Sequence, residues 1–169
     1  MHNNRGFSLI ELMVTLAIVA ILITAAAPSF RSLLVGSDIQ AESDAAKQLL
    51  KLARSEAIKR GAPVVVTAQG NDWGANWFLF AEKAPANNTY DGTDTIIYEK
   101  DSPAIPINII VAETTSWISF SSNGLVTTNG ANTLYFCDPA NELDGRSLQF
   151  SRAGQISTQD ITAGSALCN

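Results

Sequence analysis

Glu11 is the only charged residue between Phe7 and Phe30, and it stands inside an otherwise apolar run. A carboxylate in an apolar segment of membrane length is costly and marks a functional position, with a positive charge as its expected partner. A cut after Gly6 would create that partner. Phe7 would then carry an α-amine, and Glu11 lies four residues further on, on the same side of a helix. In a bundle of such helices, a neighbour's amine paired with this carboxylate fixes axial register, the best-attested use of a buried polar pair. Glu11 is not a general base, because it lies within the apolar segment.

Other chemistry is scarce. His2 is the only histidine, and Cys137 and Cys168 are the only cysteines, so neither a histidine triad nor a zinc site of the usual kind can be assembled. Asp91-Gly92-Thr93-Asp94 matches a calcium loop only in part, without its ligand spacing or closing glutamate, and reads as a solvated turn. There is no Gly-rich phosphate loop. These absences predict a chain that is not an enzyme and binds no cofactor or metal.

The chain's 169 residues suit one domain plus an appendage. A net charge of −5 argues against non-specific attraction to nucleic acid or anionic lipid. From Phe7 to Phe30 the apolar side chains run around the whole helical circumference over about 20 residues, the length that spans a bilayer. Three readings follow from the residues. One is a secretory signal peptide ending at Ala25-Ala26-Ala27, against which stand Pro28 just after the cut and Glu11 inside the apolar core. Another is a plain membrane anchor with Glu11 incidental. The remaining one is a processed assembly helix that uses Glu11. In each case the rest of the chain is exported, and two cysteines in an exported domain predict one disulfide, Cys137–Cys168. Its loop of about 30 residues would stabilise by roughly 3–4 kcal/mol.

The helix is expected to continue beyond this segment. Ala41, Ala45, Leu49, Ala53 and Ala57 recur every fourth residue beside Leu34, Leu50 and Leu52, forming one apolar stripe. Pro28 should bend the helix, because it cannot donate to the carbonyl one turn earlier. Glu56 and Arg60 form an i,i+4 pair, Gly61 supplies the cap and Pro63 the stop. Beyond Pro63 the periodicity changes to two. Strands are expected at 64–68, 77–80, 95–99, 107–112, 117–120, 133–136, 146–150 and 155–158, with Asn123-Gly124 as a hairpin signal. No internal repeat is evident. The helix stripe and the inner strand faces must cover one another, which predicts an α+β fold with a long N-terminal helix packed into an antiparallel sheet. Trp73, Trp77 and Trp117 are read as packing aromatics.

Gly6-Phe7-Ser8-Leu9-Ile10-Glu11-Leu12-Met13 resembles the class III signal of type IV pilins and type II secretion pseudopilins. The resemblance implies a type IV pilin-like fold and a leader, Met1 to Gly6, removed by prepilin peptidase. It implies N-methylation of Phe7, Glu11 as the subunit-assembly residue and Pro28 as the helix kink. The stretches 53–61, 72–80 and 118–124 resemble the GspH/FimT branch of that superfamily, whose members are not enzymes. The implied organisation is a leader (1–6), a transmembrane and assembly helix (7–30), an amphipathic stalk (31–61) and a β-rich periplasmic head (62–169). The implied partners are other pilins or pseudopilins, prepilin peptidase and the bacterial inner membrane. The implied function is that of a FimU/FimT-like minor pilin, with an H-type pseudopilin of type II secretion as the alternative.

Some FimT-type proteins bind DNA through a Gly-Arg-x-Arg motif. The corresponding stretch, Gly154-Gln155-Ile156-Ser157, lacks both arginines, which leaves Arg146 and Arg152 as a weak candidate contact. After Gly61 there are four basic and eleven acidic residues, a net −7 that opposes phosphate binding.

Overall fold

The computed structural model describes residues 8–83, 87–104, 107–111, 116–128, 130 and 132–168, with backbone alone at 25–29. The chain divides into two compact units, Met1–Leu34 and Val35–Asn169. A single helical element, α1 (Leu9–Arg60), contributes to both.

In the first unit the large apolar side chains of α1 are exposed on every side, from Leu9 and Ile10 through Leu16 and Val19 to Ile21, Leu22 and Ile23. Among the described residues no helix is long and apolar enough to cross a membrane. The run with described side chains stops at Thr24, short of the about 20 residues a bilayer requires. The backbone stays helical through Pro28, whose side chain lies outside the described residues.

In the second unit α1 buries one side against two antiparallel sheets. The first sheet contains β1 (Val64–Ala68), β2 (Trp77–Ala81), β3 (Thr95–Lys100), β5 (Trp117–Phe120) and β6 (Val126–Thr128), in the order β3-β2-β1-β5-β6. The second contains β4 (Asn108–Val111), β7 (Thr133–Cys137), β8 (Gly145–Phe150) and β9 (Ile156–Ile161), in the order β4-β7-β8-β9. One hydrophobic core joins Ile39, Ala46, Leu50, Ala53 and Ala57 of the helix to Val64, Val66, Leu79 and Ile118 of the first sheet and Leu134, Leu148 and Phe150 of the second. The α+β expectation of a long helix packed on antiparallel strands therefore holds, with the helix covered by two sheets rather than one.

The buried stripe matches the expected one at Leu49, Leu50, Ala53 and Ala57, which are buried, and departs from it elsewhere. Val35, Ile39, Ser43 and Ala46 face inward, whereas Ala45 is half-buried, Ala41 is exposed, and Leu34 and Leu52 are 47% and 38% exposed. A strict four-residue spacing advances about 40° per step around a helix of 3.6 residues per turn. Followed backwards from Ala57, the series leaves the buried face before it reaches Ala41. Steps of three and four residues keep to one side. Ser43 tolerates burial by donating its hydroxyl to the Gln40 carbonyl at 2.9 Å.

The helix ends as expected. Gly61 adopts φ +65°, a left-handed cap that favours glycine. Arg60 Nε donates to Glu56 at 2.8 Å and Lys59 Nζ to the same carboxylate at 3.4 Å. The Arg60 hydrogen bond, with Lys59 nearby, holds the Glu56 carboxyl below its ordinary range.

The Asn123-Gly124 hairpin joins β5 to β6, a strand too short to stand out in the sequence. It also exposes a repeat that the sequence alone does not reveal. Ile118-Ser119-Phe120-Ser121-Ser122-Asn123-Gly124-Leu125-Val126 and Leu148-Gln149-Phe150-Ser151-Arg152-Ala153-Gly154-Gln155-Ile156 form the same strand–turn–strand unit. In each turn the serine N–H donates to the carbonyl four residues on, the glycine N–H returns to the serine carbonyl, and the serine Oγ accepts from the residue after the glycine. Only Phe, Ser and Gly coincide between the copies, because these alone serve the turn and its packing.

Arg54 clasps the two copies. Its guanidinium donates to the equivalent carbonyls of Gly124 (3.2 Å) and Gly154 (3.3 Å), and to Ala153 (3.1 Å). Both glycines have positive φ, and a Cβ on Gly154 would lie 2.7 Å from Arg54 Nε. Val126 N–H donates to the Arg152 carbonyl at 2.9 Å, which ties the edge of the first sheet to the turn of the second. At the other end of the head, Lys100 Nζ pairs with the Glu42 carboxylate while standing 5.6 Å from the Trp77 ring centroid. Their side chains are only 10% and 19% exposed, so neither charge can be left alone cheaply.

Two stability predictions follow. Arg54→Ala should destabilise the head by roughly 2–4 kcal/mol, since carbonyls lose charged donors, and Arg54→Lys should recover little because an ammonium lacks the planar fork. Glu42→Met or Lys100→Met alone should cost about 3–5 kcal/mol, whereas the double change to methionine should lie within about 1 kcal/mol of the parent. Denaturant titration of the five variants and the parent measures both.

Candidate assembly site

At the start of α1, Ser8-Leu9-Ile10-Glu11 forms a capping box. Glu11 N–H donates to Ser8 Oγ at 3.3 Å, and Ser8 N–H donates back to Glu11 Oε2 at 3.4 Å. The Ser-x-x-Glu spacing that signals such a box is plain in the sequence, and the reading of Glu11 as a charge partner passed over it. The carboxylate thus already holds one donor of its own chain while remaining exposed and accepting further partners. Gly6 and Phe7, the expected cleavage and methylation positions, lie outside the described residues.

The far end of the chain is clamped. Cys137 and Cys168 form the expected disulfide, with their Cα atoms 5.7 Å apart. It fastens the final turn, Ala166–Cys168, to the end of β7. Gly145 lies against this bond, and a Cβ there would come within 2.8 Å of the Phe136 carbonyl. Glycine at this position therefore serves close packing.

The other singled-out residues resolve into packing and local turns. Trp73 and Trp77 are buried in an edge-to-face pair with centroids 4.8 Å apart, and Trp77 Nε1 donates to the Trp73 carbonyl at 2.7 Å. Trp117 is half-buried. Asp91 accepts from Thr93 N–H at 2.9 Å and Thr93 Oγ1 at 2.7 Å, bonds that hold its carboxyl below the ordinary range. Asp94 accepts from Lys83 N–H at 2.9 Å. Both carboxylates are occupied within their own loop, and no group of three metal-ligating side chains occurs among the described residues.

The two candidate DNA-contacting arginines stand in different settings. Arg146 Nε donates to Asp160 at 3.2 Å, and its NH1 lies 3.7 Å from Asp44, so its charge meets two carboxylates. Arg152 is exposed in the turn between β8 and β9.

Comparison with known proteins agrees with this geometry. Residues 42–154 match the family model described as type II transport protein GspH, and residues 1–27 match the prokaryotic N-terminal methylation motif. No curated protein matches in sequence. Two crystal structures of the type IV minor pilin FimU from Pseudomonas aeruginosa are similar in fold. One, in space group P65, has TM-score 0.56 and 21% identity over 71% of this chain and 91% of that one. The other, in P21, has TM-score 0.57 and 20% identity over 73% and 89%. With a GspH model across most of the head and a methylation motif at the N-terminus, the chain belongs to the family described as type II transport protein GspH, and its helix packed on antiparallel sheets is similar in fold to FimU.

Proposed function

We propose that the protein is a minor pilin of a type IV pilus that acts in priming assembly or in a tip complex, and so in pilus-dependent motility, adhesion or DNA uptake. The observation that carries this reading is the joint presence of the methylation motif and a FimU-like head on one chain. In this reading prepilin peptidase cuts between Gly6 and Phe7, and Phe7 becomes the methylated N-terminus. The segment from Phe7 to Phe30 spans the inner membrane once and leaves the head in the periplasm. Its exposed apolar circumference suits lipid before assembly and other pilin helices afterwards. Pro28 bends the helix.

Glu11 serves twice here. Its hydrogen bond to Ser8 N–H closes the helix start, and its negative charge meets the α-amine of a neighbouring subunit and sets axial register. Pairing across subunits leaves the cap intact, because an ionised carboxylate accepts several donors.

A second reading is favoured by the family model itself, whose description is a type II transport protein. In that reading the chain is the H-type minor pseudopilin of a type II secretion system. It uses the same leader, peptidase and helix, and differs only in the filament that receives it. A DNA-gripping role has less support, since Arg146 is neutralised by Asp44 and Asp160.

Glu11→Gln keeps an acceptor for Ser8 N–H and removes the charge, whereas Glu11→Ala removes both. Both variants should insert into the membrane, and both should enter sheared filaments at least about tenfold less than the parent, with Gln no better than Ala. Normal incorporation of Glu11→Gln, read by immunoblot of the sheared fraction, would assign the residue to capping alone. Deletion of the gene should reduce surface pili and twitching while sparing exoprotein secretion. The opposite pattern selects the secretion reading.

A further inference from the structure

β9 is the last strand of its sheet, and among the described residues no strand pairs with it on the side away from β8. The Ser151 N–H to Gln155 carbonyl bond, 2.9 Å, sets the alternation of the hairpin. Hydrogen-bonded pairs then fall at Gln149↔Ser157, Ser147↔Gln159 and Gly145↔Ile161. Ile156, Thr158 and Asp160 consequently turn their N–H and C=O groups outward, where they meet no backbone partner among the described residues. The strand's one charged residue is Asp160, which pairs with Arg146 of β8. The strand has no proline or lysine, and its register against β8 is continuous, whereas the ladder of edge strand β3 is interrupted by a bulge.

Beside the start of this edge runs a groove of about 630 Å3 between Lys51, Arg54, Ser55 and Ile58 of α1 and the turn residues Gly154 and Gln155 with Ile156 of β9. Its helix wall is cationic. Lys51 is exposed, the Arg54 guanidinium clasps the turns, and Lys47 Nζ reaches Thr158 Oγ1 at 3.4 Å. This stands out in a chain of net charge −5. An open strand edge facing a helix across a groove is the arrangement by which extended peptides add as an extra strand, with backbone bonds giving affinity and alternate side chains giving specificity.

We propose that the β9 edge and the Lys47–Lys51 face of α1 form a docking site for an extended acidic segment of a partner filament subunit, which adds to the second sheet as a strand. Only the partner's identity rests on the filament reading, and strand addition is measured apart from assembly. Full-length protein in detergent micelles is titrated with a fluorescent alternating Thr-Glu peptide of about ten residues. The same peptide N-methylated at every second residue, a Thr-Lys peptide and a single-stranded oligonucleotide of equal charge are run beside it.

The Thr-Glu peptide should bind, and N-methylation should weaken it at least about tenfold by removing strand hydrogen bonds. Lys51→Glu should shift preference at least about tenfold toward the Thr-Lys peptide. Thr158→Pro should abolish binding with circular dichroism unchanged, because the lost N–H faces away from β8. Absence of Thr-Glu binding would overturn the proposal. Equal binding of the N-methylated peptide would overturn it too, as would an oligonucleotide bound as tightly as the peptide, since either marks general attraction for polyanions.

Discussion

The head depends on covering one side of α1 between Val35 and Ala57. Two sheets do this together, and neither closes over the helix alone: the core runs from Ala53 and Ala57 to Ile118 in one direction and to Leu148 and Phe150 in the other. The seam between the sheets is where such a structure would open. Arg54 stands at that seam and bonds the same carbonyl in each of two matching turns. A planar cation with several donors suits that task, since two acceptors in equivalent settings can be met at once. The glycines at 124 and 154 supply both the left-handed backbone and the room for the guanidinium. The Glu42–Lys100 pair and the Cys137–Cys168 bond then hold the first sheet's edge and the chain terminus at more distant points.

Much of this was legible in the residues. Strand positions followed from β-forming residues and turn chemistry, because Gly or Asn sits where φ must be positive, although β1 and β2 are buried on both faces. The end of the helix was fixed by Lys59, Arg60 and Gly61, whose local chemistry does not depend on distant contacts. The phase of the buried stripe was less accessible. Ala41 and Ala53 look alike in sequence, and only the position of the sheets decides which one is covered. The twin turns escaped notice because two hairpins need share just the residues that make the turn. Arg54 escaped for a related reason: its acceptors are backbone carbonyls, which leave no mark on residue type.

The site at the N-terminus shows how one side chain can satisfy two readings. The capping box explains why a carboxylate is tolerable at the third position of this helix, where the N–H groups and the dipole favour negative charge. It does not explain why the carboxylate is placed at the head of a long apolar segment. The charge distribution of the head points the same way as its fold. Acidic residues predominate beyond Gly61, and Arg146 is taken up by Asp44 and Asp160. Of the cations left exposed, Lys51 lies on the helix beside the β9 edge, whereas Lys83 and Arg152 stand singly on loops, a distribution unlike the regular spacing of phosphates in a duplex.

The central claim is that this is a processed, assembled filament subunit. Intact-mass and N-terminal peptide analysis of the protein recovered from cells tests it most directly. The account predicts a chain that begins at Phe7, carries one added methyl group on that residue and retains the whole of α1. A chain that keeps Met1 to Gly6, or one cut after Ala27, would contradict it.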